Sequence, residues 1–372
     1  MNLRYTAAAL ALICWACSSP TGPQPAELPR LEHEAQVRSL WSASAGDADR
    51  FVFSPALVDG SIYGAARDGT VTRFEAASGR TLWSVSAGNR LSGGVGADAR
   101  IVAVANEDGE VIVLDAESGQ RRWSARVSSE VIAAPALGAD LVLVRSIDNR
   151  LSAFGAQDGK RRWAYQRAPS SLIIRAPAGV TIVGDTAFAG FAGGKLTAIA
   201  LANGGVRWEV TVALPKGGTE LERVADVVGD PAVQGREVCA ATYQGRVGCY
   251  EAASGRQVWA RDISSLTGVS LDARYAFVSD DRGAVQAFDR TNGRSVWKQD
   301  KLAHRQLSLP QPFGEFVAVG DLEGYVHVLA RDTGAFVARY ATNGGAVRAA
   351  PKAIPGALLV QTQNGALHAL AL

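Results

Sequence analysis

Glu75-Ala-Ala-Ser-Gly-Arg-Thr-Leu-Trp83 and Asp115-Ala-Glu-Ser-Gly-Gln-Arg-Arg-Trp123 are two copies of one turn, each with a Gly four residues before a Trp. Further copies are Gly155-Ala-Gln-Asp-Gly-Lys-Arg-Arg-Trp163, Ala200-Leu-Ala-Asn-Gly-Gly-Val-Arg-Trp208, Glu251-Ala-Ala-Ser-Gly-Arg-Gln-Val-Trp259 and Asp289-Arg-Thr-Asn-Gly-Arg-Ser-Val-Trp297. A degenerate copy, Ala330-Arg-Asp-Thr-Gly-Ala-Phe-Val-Ala338, has Ala in place of Trp. A repeat at this period is the signature of a solenoid or a propeller. Ahead of the first turn, Ser61-Ile-Tyr-Gly-Ala-Ala and Val71-Thr-Arg-Phe flank Arg67-Asp-Gly-Thr. Period-two patterning around a Gly-containing hairpin turn reads as two paired strands. Upstream lies a further strand marked by a Pro at 55, 135, 177, 231 or 351. Each unit therefore supplies four strands, which is one propeller blade.

The count comes to eight. The last unit stops after its third strand, Ala366-Leu-His-Ala-Leu, and Val37-Arg-Ser-Leu-Trp41 is a strand with no unit before it. Pairing the two closes the ring and removes an exposed edge. The expectation is an all-β, eight-bladed β-propeller with four-stranded blades, closed by the N-terminal strand on the C-terminal blade. The Trp residues of the repeat are read as packing groups between blades.

The ends set the organisation. Arg4 and the short apolar run 6–16 form an export signal, too short to span a bilayer. Cys17 follows a small residue and precedes Ser-Ser-Pro-Thr-Gly-Pro-Gln-Pro. This resembles a bacterial lipobox, with Cys14 where Leu is usual; the alternative is an ordinary signal with an incidental Cys. The expected divisions are 1–16 signal peptide, 17–34 lipidated Cys and flexible tether, and 35–372 propeller. Ser18, not Asp, follows the Cys, so the periplasmic face of the outer membrane is the expected site. Net charge is +2, or +1 without Arg4, and the basic residues are scattered, which argues against nucleic acid. Cys239 and Cys249 flank the turn at Tyr243 and are expected to form a disulfide in an oxidising compartment, unless register leaves them as two buried thiols.

The Trp turn resembles the tryptophan-docking repeat of quinoprotein-like eight-bladed propellers. With the lipobox and tether added, the whole mature chain resembles the BamB family, lipoproteins of the outer-membrane β-barrel assembly machinery. Independently, the Trp-to-Trp intervals run 42, 40, 40, 45, 51 and 38 residues, so the added length enters blades four and five. Lengthened neighbouring loops on a rigid scaffold mark a functional region. The resemblance selects the same loops. It implies that Leu172-Ile-Ile-Arg175 and Asp226 dock the barrel subunit BamA, with Leu172 and Ile174 as apolar anchors on one side of a strand. Arg175 would act as a charged anchor, and Asp226 would either hold it or meet a cation of the partner. A second acidic position of the family is Val228 here. Partners implied are the barrel-assembly complex and unfolded outer-membrane proteins.

Two other classes compete. A pyrroloquinoline-quinone dehydrogenase shares the propeller, but those enzymes resemble longer chains with an adjacent Cys-Cys pair, which this sequence lacks. His33, His304, His327 and His368 have no metal-ligand spacing, and 327 and 368 fall in third strands where a half-exposed structural role is expected. No catalytic residue, metal or cofactor is assigned. The third class is a generic periplasmic propeller that captures peptides by strand addition.

Overall fold

In the computed structural model, the described residues are 22–31, 35–88, 90–168, 172–342 and 344–372. Cys17 and the segment read as a signal lie outside them. The strands form eight four-stranded antiparallel sheets, seven of them in chain order from an innermost strand A to an outermost strand D. In blade one these are Ala56–Val58, Ser61–Ala65, Thr70–Glu75 and Thr81–Ser86. The ring closes as the sequence implies. Arg38–Ser44 is the outermost strand of blade eight and pairs with Ala366–Ala371, from Arg38 opposite Ala371 to Ser44 opposite Ala366.

Burial explains the sequence pattern. Strand B of blade one is buried along its whole length, whereas strand D alternates. Inner strands are covered on both faces by neighbouring blades, so they read as continuous apolar runs; outer strands keep one wet face. The core is accordingly a series of layers between blades. One cluster, for example, joins Phe53, Tyr63 and Val71 of blade one to Leu91, Val104 and Ile112 of blade two.

Each Trp among the described residues docks on the next blade. The indole N–H of Trp123 donates to Ala156 O at 2.9 Å, and that of Trp41 donates to Ala76 O at 3.1 Å, so the N-terminal strand is joined to blade one as well as blade eight. The ring lies against the Gly of the receiving turn. At Gly159, φ is +64° and an added Cβ would meet the Trp123 ring at 2.7 Å, which explains why this turn position is always Gly. Ala338 also has a physical reason. Its docking partner would be the turn between strands C and D of blade eight, and that blade has no such turn, because its D strand comes from the other end of the chain.

Two expectations change. His327 and His368 are buried, not half-exposed, because third strands are covered on both faces. The stretch read as a flexible tether is fastened at Ala26 and Pro29, which accept hydrogen bonds from Arg305 and Arg339. No helix among the described residues is long and apolar enough to cross a membrane.

Candidate docking rim

Connections from strand D of one blade to strand A of the next share a face with the hairpin turns between strands B and C. A recurring backbone bond ties them together. The N–H that opens the B–C turn donates to a carbonyl 17 residues earlier in the connection: Ile147 to Glu130, Tyr243 to Asp226, Asp281 to Ser264, Leu322 to Arg305. Blade four departs from this pattern. Its turn N–H groups are taken by side chains of neighbouring blades: Ala192 by Asn149 Oδ1 at 3.5 Å, and Gly193 by Asp226 Oδ1 at 3.0 Å.

The connection into blade four is therefore held from outside. Asp226 Oδ2 accepts the Ile174 N–H at 2.8 Å. Further along, Asp230 Oδ1 accepts the Gly179 N–H at 2.8 Å, Pro177 O accepts the Gly229 N–H at 2.9 Å, and Thr181 Oγ1 donates to Pro231 O at 2.6 Å. Arg175 makes a two-pronged ion pair with Glu130 of the preceding connection, at 2.7 and 2.8 Å. This pairing raises the Arg175 pKa above its ordinary value, against the opposing effect of burial.

The predicted residues thus fall into two groups. Leu172 is 42% exposed and Arg175 keeps about half of its side chain in solvent, so both can meet a partner. Asp226 is 5% exposed, and its two oxygens are occupied by backbone N–H groups, so it neither holds Arg175 nor faces outward. Val228 is buried as well, while Asp230 is exposed in the innermost strand of blade five, where its Oδ1 accepts the Gly179 N–H. Residues 172–179 belong to no strand, so the strand alternation expected for Leu172 and Ile174 does not apply. Ile173 and Ile174 are both half-buried and line a cavity of about 20 Å³ with Ile132, Ile147, Asn149 and Arg145, room for about one water.

Behind the loop, Arg145 donates to Ala178 O at 3.2 Å and lies over the Phe191 ring. Burial pulls its pKa down to about 10, with Asp226, Asp148 and Asp230 opposing. Solvent touches Asp230, yet the surrounding protein still pushes its carboxyl above the usual carboxylate range, against the Gly179 N–H, Lys352 and Arg145.

Glu130 and Arg145 escaped sequence reasoning. A signal for Glu130 did exist: it stands five residues before Pro135, as Asp226 does before Pro231, and as Arg50 and Arg305 do before Pro55 and Pro310. All four carry charges committed to ion pairs or buried hydrogen bonds.

Cys239 and Cys249 sit directly opposite each other on neighbouring strands of blade five, Cα atoms 4.1 Å apart and both buried. Among the described residues no three His, Cys, Asp or Glu side chains gather in a way that could hold a metal ion.

The architecture and the repeat define a quinoprotein-like propeller whose irregular feature is a loop rim. Residues 67–299 match the family model described as outer membrane protein assembly factor BamB. A BamB from Bordetella pertussis is 44% identical over 345 residues, covering 92% of this chain and 89% of its own length. One from Burkholderia pseudomallei is 40% identical and is covered over 99% of both chains. The crystal structure of BamB from Moraxella catarrhalis superposes with a TM-score of 0.84 at 26% identity, covering 91% of this chain and all of that one. A quinohemoprotein alcohol dehydrogenase from Comamonas testosteroni reaches 0.69 at 12% identity over 90% of this chain and 76% of its own, a likeness of fold alone. The chain belongs to the BamB family of outer membrane protein assembly factors.

Proposed function

We propose that this chain is a non-catalytic scaffold lipoprotein of the outer-membrane barrel-assembly machinery, anchored through Cys17 at the periplasmic face and docked to BamA by the connection entering blade four. The observation that carries this reading is the rim itself. Leu172 and Arg175 are presented to solvent on a loop outside any strand, yet the loop is fixed from both sides by Asp226 and Glu130. Such a loop has already lost the freedom that binding would otherwise take from it. Leu172 supplies apolar contact. Arg175 arrives with its guanidinium oriented, and only two of its five N–H donors are used by Glu130. Asp226 acts here as a positioning residue behind the contact.

The test is co-purification of BamA with Leu172→Ala/Arg175→Ala, alongside a thermal melt. Truncating a desolvated interface Arg costs about 2 kcal/mol, so Arg175→Ala alone weakens binding on the order of 30-fold. Normal BamA recovery by the folded double variant places the docking surface elsewhere.

A further inference from the structure

The N-terminal segment Gly22–Leu31 is fastened by its backbone to blade seven and to the connection that enters it. The Ala26 N–H donates to Ala303 O at 2.9 Å, and Ala26 O accepts from Arg305 Nη1 at 2.8 Å. Pro29 O accepts from Arg339 Nη2 at 2.8 Å, and the Ala35 N–H donates to Val337 O at 2.9 Å. The receiving side is built in advance. Arg305 is 2% exposed, with Nε on Asp321 Oδ2 at 2.7 Å and Nη2 on Glu323. Asp321 is itself fully buried and also holds His327 and the N–H groups of Glu323 and Tyr325. Pro23, Pro25 and Pro29 bias the segment to an extended form, so laying it down loses little chain entropy.

The contacts also give direction. Val337 and Arg339 lie in strand D of blade seven, Phe336–Ala341, while Ala303 and Arg305 lie in the connection into that blade. Ala35 meets Val337, Pro29 meets Arg339 and Ala26 meets the connection, so the contacts move along this strand toward the connection as the numbering falls. Arg305 and Asp226 occupy the same place in their blades, each accepting the turn N–H 17 residues ahead. The segment therefore emerges on the rim that carries Leu172 and Arg175.

Reach limits which face the anchor can present. Gly22 lies five positions from Cys17, a span of at most about 18 Å. A free tether would begin at Ala35, eighteen residues from Cys17, and could span about 60 Å, enough to present any face of the ring.

We infer that Gly22–Leu31 is an orienting strap: it delivers the anchored N-terminus at the rim beside blade seven, so that a phospholipid headgroup layer lies on the rim side and the Trp-docking turns point away. This rests on the lipid anchor at Cys17 proposed above.

The test uses the full acylated protein in phosphatidylethanolamine–phosphatidylglycerol vesicles carrying a headgroup nitroxide. A fluorophore is attached through Asp281→Cys, on the rim side of blade six, or Asn292→Cys, in the opposite turn of the same blade. Quenching at 281 is expected to exceed that at 292 several-fold. Ala26→Pro with Arg339→Gln removes one donor from the strap and one from the blade, and should bring the ratio toward unity. Equal quenching in the wild-type strap, or a ratio untouched by undocking, overturns the orientation. If the acylated protein fails to float with vesicles, the anchor reading falls instead. Hydrogen exchange at the Ala26 amide then decides the strap alone: slow exchange supports docking, and exchange at the free-chain rate overturns it.

Discussion

Blade three and blade four solve the same problem differently. In blade three the incoming connection is tied to the blade's own turn by a backbone bond, Ile147 N–H to Glu130 O, and Trp123 seals the joint with the blade before. In blade four the turn and the connection are held by side chains of neighbours, chiefly Asp226 and Asp230 of blade five. A backbone bond sets a connection's path for any sequence that can make the turn. A carboxylate reaching across from another blade lets the path change, and so frees residues 172–175 to follow a surface instead of a strand. On the function proposed above, the regular joints serve stability and the exceptional one serves recognition.

The largest effect should come from breaking a regular joint. Trp123→Ala removes a ring packed on Gly159 and an N–H bonded to Ala156 O, and should cost about 3–5 kcal/mol. Ala338→Trp should give no matching gain, since blade eight offers no turn to receive it. Chemical denaturation of both variants checks this, and a stabilised Ala338→Trp protein would mean that the docking geometry has been misread.

Asp226→Ala strikes the exceptional joint. It strands the N–H groups of Ile174 and Gly193 and should cost about 2–4 kcal/mol, whereas Asp226→Asn keeps an acceptor and should cost less. Amide exchange is the sharper readout. Protection should fall at Ile174 and Gly193 before it falls at Ile147, whose partner is a backbone carbonyl. Uniform loss of protection would show that the two joints do not differ in kind.

Blade five supplies both carboxylates, and the bond predicted between Cys239 and Cys249 would brace it. A ten-residue closed loop stabilises by roughly 2–3 kcal/mol on the chain-entropy model. Reduction should lower the melting temperature accordingly. Full alkylation of the unreduced, unfolded protein at both positions would exclude the bond.

The smallest effect expected is that of pH, and it belongs to a third joint. Burial pushes the His327 imidazole below its ordinary value, with Asp321 pulling the other way. Asp321 in turn is held low: burial opposes this but is outweighed by His327, the Tyr325 N–H and Arg305. Both folded-state values are depressed, so the unfolded chain binds more protons as pH falls. Stability should decline below about pH 6.5 for His327 and below about 4 for Asp321, by at most about 1.4 kcal/mol per pH unit for each group. Burial lowers His368 too, adding to the upper range. His327→Gln should reduce the decline between pH 6.5 and 5, visible as a shallower fall in melting temperature; an unchanged profile would remove His327 from the account.

Legibility in the sequence divides along the same line. The repeat, the eight-blade count and the closure are written in local periodicity, because a Gly-to-Trp spacing and a two-residue alternation act within a blade or between adjoining ones. The rim loops were legible as added length. The commitments of Asp226 and Arg175 were not: their partners lie 33 to 52 residues away, in loops without a period. An exposed pairing and a buried cap look alike in sequence, since both read as a charge near a Pro. The docking of the strap was hidden for a related reason. It uses the carbonyls of Ala26 and Pro29, and any composition supplies carbonyls.

The pairing of Arg38–Ser44 with Ala366–Ala371 also sets an order of events. Seven blades contain all four of their strands in consecutive chain, and each can form as soon as its own segment is free to fold. Blade eight joins residues more than 320 positions apart, the slowest kind of contact to find. Until the last strand arrives, the first has no sheet to complete, and Trp41 can reach blade one only from an unpaired strand. The ring therefore carries its own completion signal. A chain cut short by even one strand would keep most of its blades and lack the one joint that makes them a circle.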